Sequence, residues 1–367
     1  MLPPQLRRWH HSRPFGFLFR AFCLVTAIVI VCEHLIYYSA LWKCSWPTMD
    51  CGVNDPNNML PRKAFLLADT HLLTRWSNQW DRTIREWHME RSFQTANFLL
   101  QPDLVFVLGD VLNNGQNTYQ EDFDADVQRF QKMFASQAKV ICAVGNHDIG
   151  FHYRVHPYLL WRFEQAFNAS AVQLYQDSGI SFVILNSVAF EMDKCEMCEE
   201  AEEQLLNVSK ILRETGSPRP FVLQHYPMYR ESDEICTEED AAPEGEKTIH
   251  FREKWECLSK NATSMIMATL NPRAVFGGHT HHSCYRQHEN GVEEWSVSSF
   301  NRRFKKYPSF LMVSFCPDTF AVRQCFLPDE YTLLAGYVVA VAVVVITACW
   351  CLYTLLRFKG FRLKKFS

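Results

Sequence analysis

The stretch Tyr331–Leu356, "YTLLAGYVVAVAVVVITACWCLYTLL", contains no charged residue. About 20 apolar residues span a bilayer core, and buried helices of soluble proteins rarely stay apolar on every face for so long. This segment is therefore expected to cross a membrane as a helix. A second apolar run begins at Ala21 and reaches Cys32; Glu33 and His34 interrupt it before "LIYYSALW" resumes. A cleaved signal peptide is one reading, since its apolar region needs only about 7–15 residues. The flank "IYYSALW" offers no small-x-small cleavage site, which favours the other, an uncleaved signal anchor over Ala21–Leu41. Glu33 within such a span needs a partner or an interfacial position.

Charge sets the expected orientation. Arg7, Arg8, Arg13 and Arg20 precede the first run, and Arg357, Lys359, Arg362, Lys364 and Lys365 follow the second. Basic flanks stay cytosolic. The expected division is a cytosolic N-terminus (1–20), a transmembrane helix (21–41), a luminal domain (42–330), a second transmembrane helix (331–356) and a cytosolic tail (357–367). Lys364 and Lys365 stand four and three places from the carboxyl end, the spacing of a dilysine retrieval signal read by retrograde coats. Their other reading is a simple orienting charge cluster. The sequons at Asn168, Asn207 and Asn261 are usable only in a lumen. Ten of the 14 cysteines lie between the two runs, where an oxidising compartment permits pairing, but spacing alone cannot give connectivity. Cys195-x-x-Cys198 has no second pair at zinc-knuckle spacing, so it reads as an ordinary disulfide or free thiols before a redox motif. A net charge of −3 announces no basic face for nucleic acid.

Between the runs, short β-rich segments alternate with amphipathic stretches near 78–100, 119–136, 156–168 and 196–213. Strands alternating with helices predict an α/β layered fold with mostly buried sheets. "EEWSVSSF", "SFLMVSFCP" and "TFAVRQCFLP" follow one another with little helix between them, so that part of the sheet is expected to be antiparallel or mixed. Residues 230–250, acidic and turn-rich, read as a surface loop.

The chemistry lies where the strands end. "FLLADTH" delivers Asp69 and His71; "VFVLGD" delivers Asp110; "ICAVGNHD" delivers Asn146, His147 and Asp148; "FVLQHYP" delivers His225; "AVFGGHTHH" delivers His279, His281 and His282. Sites in α/β sheets form outside the carboxyl ends of strands. Mixed His, Asp and Asn ligands suit borderline divalent ions, and seven candidates are enough for two ions sharing a bridge. Taken in order, D-x-H, G-D, G-N-H-D, H and G-H-x-H resemble the calcineurin-like metallophosphoesterase superfamily. The finer text "GNHDIG" and "QHYPMYR", with the two flanking runs, is similar to the metallophosphoesterases that remodel glycosylphosphatidylinositol (GPI) anchors by removing ethanolamine phosphate from a mannose.

That resemblance implies a four-layer α-β-β-α sandwich with mixed sheets, a dinuclear centre and an early-secretory location, from endoplasmic reticulum and its exit sites to cis-Golgi. It implies that Asp69, His71 and His281 hold one ion, that Asn146, His225 and His279 hold the other, and that Asp110 bridges them. Manganese is the implied metal, and zinc is chemically admissible. His147 is implied to serve the leaving oxygen, while His282 reads as a bystander. GPI-anchored proteins, the membrane and transport machinery are the implied partners. One departure matters: many relatives carry Asp where this chain has Asn113, and an Asn side chain cannot raise a histidine's basicity as a carboxylate does. Asp148 is a weak substitute, because adjacent side chains rarely face each other. Two other readings are a phosphodiesterase or phosphatase for a different luminal ester, and a non-catalytic GPI-cargo factor.

Overall fold

The computed structural model describes residues 4–51, 60–192, 195–303 and 307–363; Lys364 and Lys365 lie outside them. The chain forms two units, Met1–Ala40 with Pro328–Ser367, and Leu41–Leu327. In the first, α1 (Pro4–Ile30) passes through a π-helical turn at Val31–Leu35 into α2 (Ile36–Leu41), and α10 covers Glu330–Leu363. The turn coincides with the Glu33–His34 interruption, and such bulges commonly mark a local departure from regular helix. Two stretches, Gly16–Leu41 and Tyr331–Thr354, are long and apolar enough to cross a membrane. Cys32, Tyr37 and Leu333 bury one another. A Cβ at Gly336 would stand 2.4 Å from Cys32 Sγ, so glycine permits close approach there, as small residues do between apolar helices.

The second unit is built on alternation. Along β1 (Arg62–Leu67) and β2 (Leu104–Leu108), Phe65, Leu67, Val105 and Val107 join one core, while Ala64, Leu66, Leu104, Phe106 and Leu108 join another. Period-two side chains thus face helices on one side and a second sheet on the other. The first sheet has the order β11-β10-β1-β2-β3, with β3 at Lys139–Ala143, β10 at Ser309–Phe315 and β11 at Phe320–Phe326. β1, β2 and β3 run parallel, whereas β10 and β11 are antiparallel. The second sheet has the order β4-β5-β6-β7-β9-β8: Val172–Asp177, Ile180–Leu185, Phe221–Leu223, Ala274–Gly277, Glu293–Ser296 and Cys284–Gln287. Phenylalanines lock the two sheets together, with Phe106–Phe182 ring centroids 5.0 Å apart and Phe221–Phe315 4.6 Å apart.

The outer layers are helical. α3 (Gln79–Leu100) and α4 (Gln120–Met133) pack together, as do α7 (Glu196–Glu214) and α9 (Lys260–Leu270); α5 (Asn146–Ile149), α6 (Pro157–Phe167) and α8 (Glu244–Lys247) complete the set. Each long helix offers one apolar face, such as Phe123, Val127 and Phe130 on α4, the stripe a core-facing helix needs. The result is the expected α-β-β-α sandwich with mixed sheets. Disulfides join Cys44–Cys325, Cys51–Cys316, Cys195–Cys198 and Cys236–Cys284. Cys142 and Cys257 are buried free thiols.

Candidate metal centre

The parallel strands of both sheets end at one edge, and there the chain turns hard. Asp69, His71, Asp110, His279 and His281 all adopt positive φ, between 44° and 72°. Left-handed backbone costs a non-glycine residue on the order of 1–3 kcal/mol and clusters at functional sites. Neighbouring loops hold these turns in place: Asp69 N–H bonds Gly109 O at 3.2 Å and His71 N–H bonds Asp110 O at 2.9 Å. β7 ends at Gly277, and left-handed backbone at His279 and His281 aims the two rings beyond the strand.

Glycines permit the crowding. A Cβ at Gly145 would lie 2.2 Å from Asp110 N, and one at Gly109 2.6 Å from His225 Nδ1. Nothing larger fits.

Each key carboxylate divides its oxygens. Asp69 Oδ2 accepts His279 N–H at 3.0 Å. Its Oδ1, buried and without a hydrogen bond, faces His71 and His281 Nε2 at 3.7 and 3.4 Å. Asp110 Oδ1 accepts His147 N–H at 2.8 Å, leaving Oδ2 between His71 Nε2 at 3.6 Å and His225 Nε2 at 3.3 Å. The imidazoles converge too: His71 and His281 Nε2 stand 3.1 Å apart, and His225 Nε2 lies 3.2 Å from both Asn146 Oδ1 and His279 Nδ1.

Three groups of donors emerge: Asp69, His71 and His281; Asp110, His225 and His279; and His71, Asp110 and His147. Metal–ligand bonds of about 2.0–2.2 Å place neighbouring ligands roughly 3–3.5 Å apart. The observed spacings fit, and Asp69 Oδ1 is a buried acceptor that an ion would satisfy. All seven sequence-proposed ligands meet here, with Asp110 between the two sets. His282 faces Glu246 at 3.7 Å and joins none of the three groups.

Backbone carbonyls orient the rings. His225 Nδ1–H donates to Leu108 O at 2.8 Å, and His279 Nε2–H donates to Trp255 O at 2.6 Å. These bonds turn His225 Nε2 and His279 Nδ1 toward the centre, the usual support for a ligating imidazole. Burial pushes His71 down to about 4; burial, with His225 beside it, pushes His279 down to about 3. Burial opposes the charged form of His225 as well, but Asp110 outweighs it and lifts His225 to about 9. In turn His225 holds the Asp110 carboxyl well below its ordinary value despite burial.

His147 Nδ1–H donates to the backbone carbonyl of Asn113 at 2.8 Å. The ring is thus held by the main chain at Asn113, where many relatives place a carboxylate. Asp148 does not face His147. Its carboxylate accepts from Leu112 N at 2.8 Å, Gly145 N at 2.9 Å and Val111 N at 3.3 Å, stitching the Asp110 loop to the Asn146 loop. Burial and Asp110 push its carboxyl up to about 8. Sequence reasoning missed this role, although the run G-N-H-D was its visible signal. His147, His279 and His281 are half-buried, while Asp69, His71, Asp110, Asn146 and His225 are buried, so the centre opens on the former side.

Two ligand sets sharing one carboxylate, at the carboxyl edge of a double-sheet sandwich, define a dinuclear metal-dependent phosphoesterase. Residues 63–283 match the calcineurin-like phosphoesterase family. The chain is 42% identical over 353 residues to Metallophosphoesterase 1 of Gallus gallus, covering 90% of this chain and 89% of that protein. It is 43% identical over 344 residues to the protein of that name from Ailuropoda melanoleuca, covering 88% and 86%. A dimetal phosphatase from Danio rerio shares the fold at 15% identity, with a TM-score of 0.51 over 74% of this chain and 98% of that one. This chain belongs to the calcineurin-like phosphoesterase family.

Proposed function

We propose that this protein is a membrane-anchored phosphodiesterase of the early secretory pathway that removes ethanolamine phosphate from a mannose of GPI anchors. The observation that carries the phosphoesterase part is the paired ligand set around Asp110 Oδ2. Bound there, two divalent ions would acidify a water and neutralise phosphoryl oxygens of an in-line displacement. The resemblance favours manganese, and the histidine-rich donors also suit zinc.

The chain's own residues do the rest. Asp69, His71 and His281 would hold one ion, Asn146, His225 and His279 the other, and Asp110 both. The Asn113 carbonyl fixes His147 Nδ1 as a donor, so Nε2 is the nitrogen that exchanges a proton. One ring nitrogen of His147 lies within 4.8 Å of donor atoms on His71 and Asp110, which would set it beside an ester held at the centre. As water oxygen bonds to phosphorus and the phosphorus–mannose oxygen bond breaks, His147 Nε2–H supplies the proton that the sugar alkoxide needs.

The GPI substrate is supported by the motif text "GNHDIG" and "QHYPMYR" and by two apolar stretches that tether the domain to a membrane. The luminal orientation is supported by basic residues outside both stretches and by exposed side chains at Asn168, Asn207 and Asn261. Lys364 and Lys365 would return the chain from the Golgi. Mass analysis of GPI glycans tests the substrate. Cells lacking the protein should accumulate anchors that retain a mannose-linked ethanolamine phosphate, and a metal-ligand variant should fail to restore trimming. Unchanged glycans would sink the substrate assignment and leave a phosphodiesterase for another ester.

A further inference from the structure

We infer that the catalytic edge of the globular unit is a membrane-docking face, seated in the headgroup layer of the bilayer that the apolar helices cross. The inference rests on reading those helices as spans.

Strand register carries the first half. Leu66 pairs with Leu311 and Ser309 pairs with Phe326. The end of β11 is therefore level with the end of β1, two strand spacings away, roughly 10 Å. Asp69 follows β1 directly. Leu327 N–H bonds Pro308 O at 2.8 Å, and the Cys44–Cys325 disulfide brings the other tether to the same place. Both points where the chain leaves this unit thus lie at the edge that holds the metal ligands. Residues 328–330 alone separate Leu327 from the apolar stretch at Tyr331. At most ~3.6 Å per residue, that tether reaches roughly 14 Å, about twice the depth of the headgroup region on one side of the hydrocarbon core.

The surface carries the second half. Trp42, Trp76, Trp80, Tyr119, Tyr153 and Tyr307 are exposed by 80%, 75%, 80%, 84%, 60% and 44%. Trp42 sits beside Cys44. Trp76 and Trp80 follow β1, Tyr119 follows β2, Tyr153 follows β3, and Tyr307 precedes β10. All six belong to this one edge. At the opposite edge, where β1 to β3 begin, no exposed tryptophan or tyrosine stands among the described residues. Scattered exposed apolar residues are ordinary. A rim of Trp and Tyr beside two membrane tethers is different, because these are the side chains that prefer the membrane–water interface. Arg75 stacks on Trp76 with 4.9 Å to the ring centroid, and both side chains are held by Asp122, which pairs with the guanidinium and accepts the indole N–H at 3.0 Å, so this part of the rim is fixed in place. Docked this way, the half-buried side of the centre would meet phosphoesters at headgroup depth.

The test uses the full chain reconstituted in phosphatidylcholine vesicles containing a headgroup-labelled nitroxide lipid. Trp80→Phe should remove a quenched component from the tryptophan emission. A triple variant, Trp76→Ser with Trp80→Ser and Tyr119→Ser, should lose at least ~5-fold in rate on a vesicle-borne phosphodiester while keeping its rate on soluble bis(p-nitrophenyl) phosphate. An unquenched Trp80, or an unchanged ratio of the two rates, would overturn the docking face. If the triple variant loses both rates through misfolding, the Trp80→Phe quenching difference decides alone. If the wild type hydrolyses neither ester, the enzymatic reading falls, and quenching still decides the docking.

Discussion

Asp110 shows how much can rest on one side chain. Its Oδ2 is shared by the two ligand sets, so Asp110→Ala should strip both ions, as read by elemental analysis, and abolish turnover. Asn113 tests the opposite idea, that a side chain identity is irrelevant. Because its carbonyl holds His147, Asn113→Ala should keep activity within about threefold. His147→Ala should retain metal and lose about 10²–10⁴-fold on esters with poor leaving groups. A large loss in Asn113→Ala would mean that the side chain orients the ring after all. His225 adds a pH signature. In the metal-free protein it stays charged to about pH 9, against ~6.5 unfolded. Its pairing with Asp110 therefore stabilises the metal-free fold fully below pH ~6.5, and that contribution fades as pH rises through about 9. Metal needs the neutral ring. Loading with Mn2+ at pH 7.5 should thus release about one proton from this residue, measurable by titration calorimetry in buffers of different ionisation heat; no release would show that His225 is already neutral. The ligands themselves were legible in the sequence, because a His, Asp or Asn at the end of an apolar run is conspicuous. Their left-handed backbone was not, since that conformation is imposed by contacts between loops distant in the chain.

At the scale of elements, hydrophobic rhythm located α3, α4, α6 and α7 to within a few residues, and it located the strands that enter the core. It missed β4, "VQLYQD", and β8, "CYRQ", which are mostly half-exposed and so lack an apolar run. It also missed α9, whose Asn, Thr and Ser positions dilute the stripe of Ala262, Ile266 and Leu270. The last three segments, expected to be antiparallel or mixed, pair antiparallel in β10 and β11 of the first sheet, while β9 lies in the second sheet, parallel to β7 and antiparallel to β8. Loop contacts of this kind make Gly145 a sensitive position. Gly145→Ala would drive a Cβ to 2.2 Å from Asp110 N and Oδ1. It should cost about 1–3 kcal/mol, the usual range for overpacking, and displace the shared carboxylate. Denaturant unfolding together with metal content checks both effects; a stable, fully metallated Gly145→Ala would show that the two loops have room to part.

At the scale of the molecule, one chain carries both a candidate metal centre and two stretches long and apolar enough to cross a membrane. Asn168, Asn207 and Asn261 are exposed, so endoglycosidase should shift the protein on a gel if the globular unit is luminal, and protease added from the cytosolic side should leave it intact. No mobility change with cytosolic cleavage would invert the topology. The central claim is that two ions, held in the two ligand sets, make this chain a phosphodiesterase. The most direct measurement is a metal titration of the purified, chelator-stripped full chain in mild detergent, following bound metal and hydrolysis of bis(p-nitrophenyl) phosphate together. Two ions per chain should bind, with activity appearing as the second site fills and both lost in Asp110→Ala. Full activity with one ion or none, or two ions bound with no hydrolysis, would contradict it.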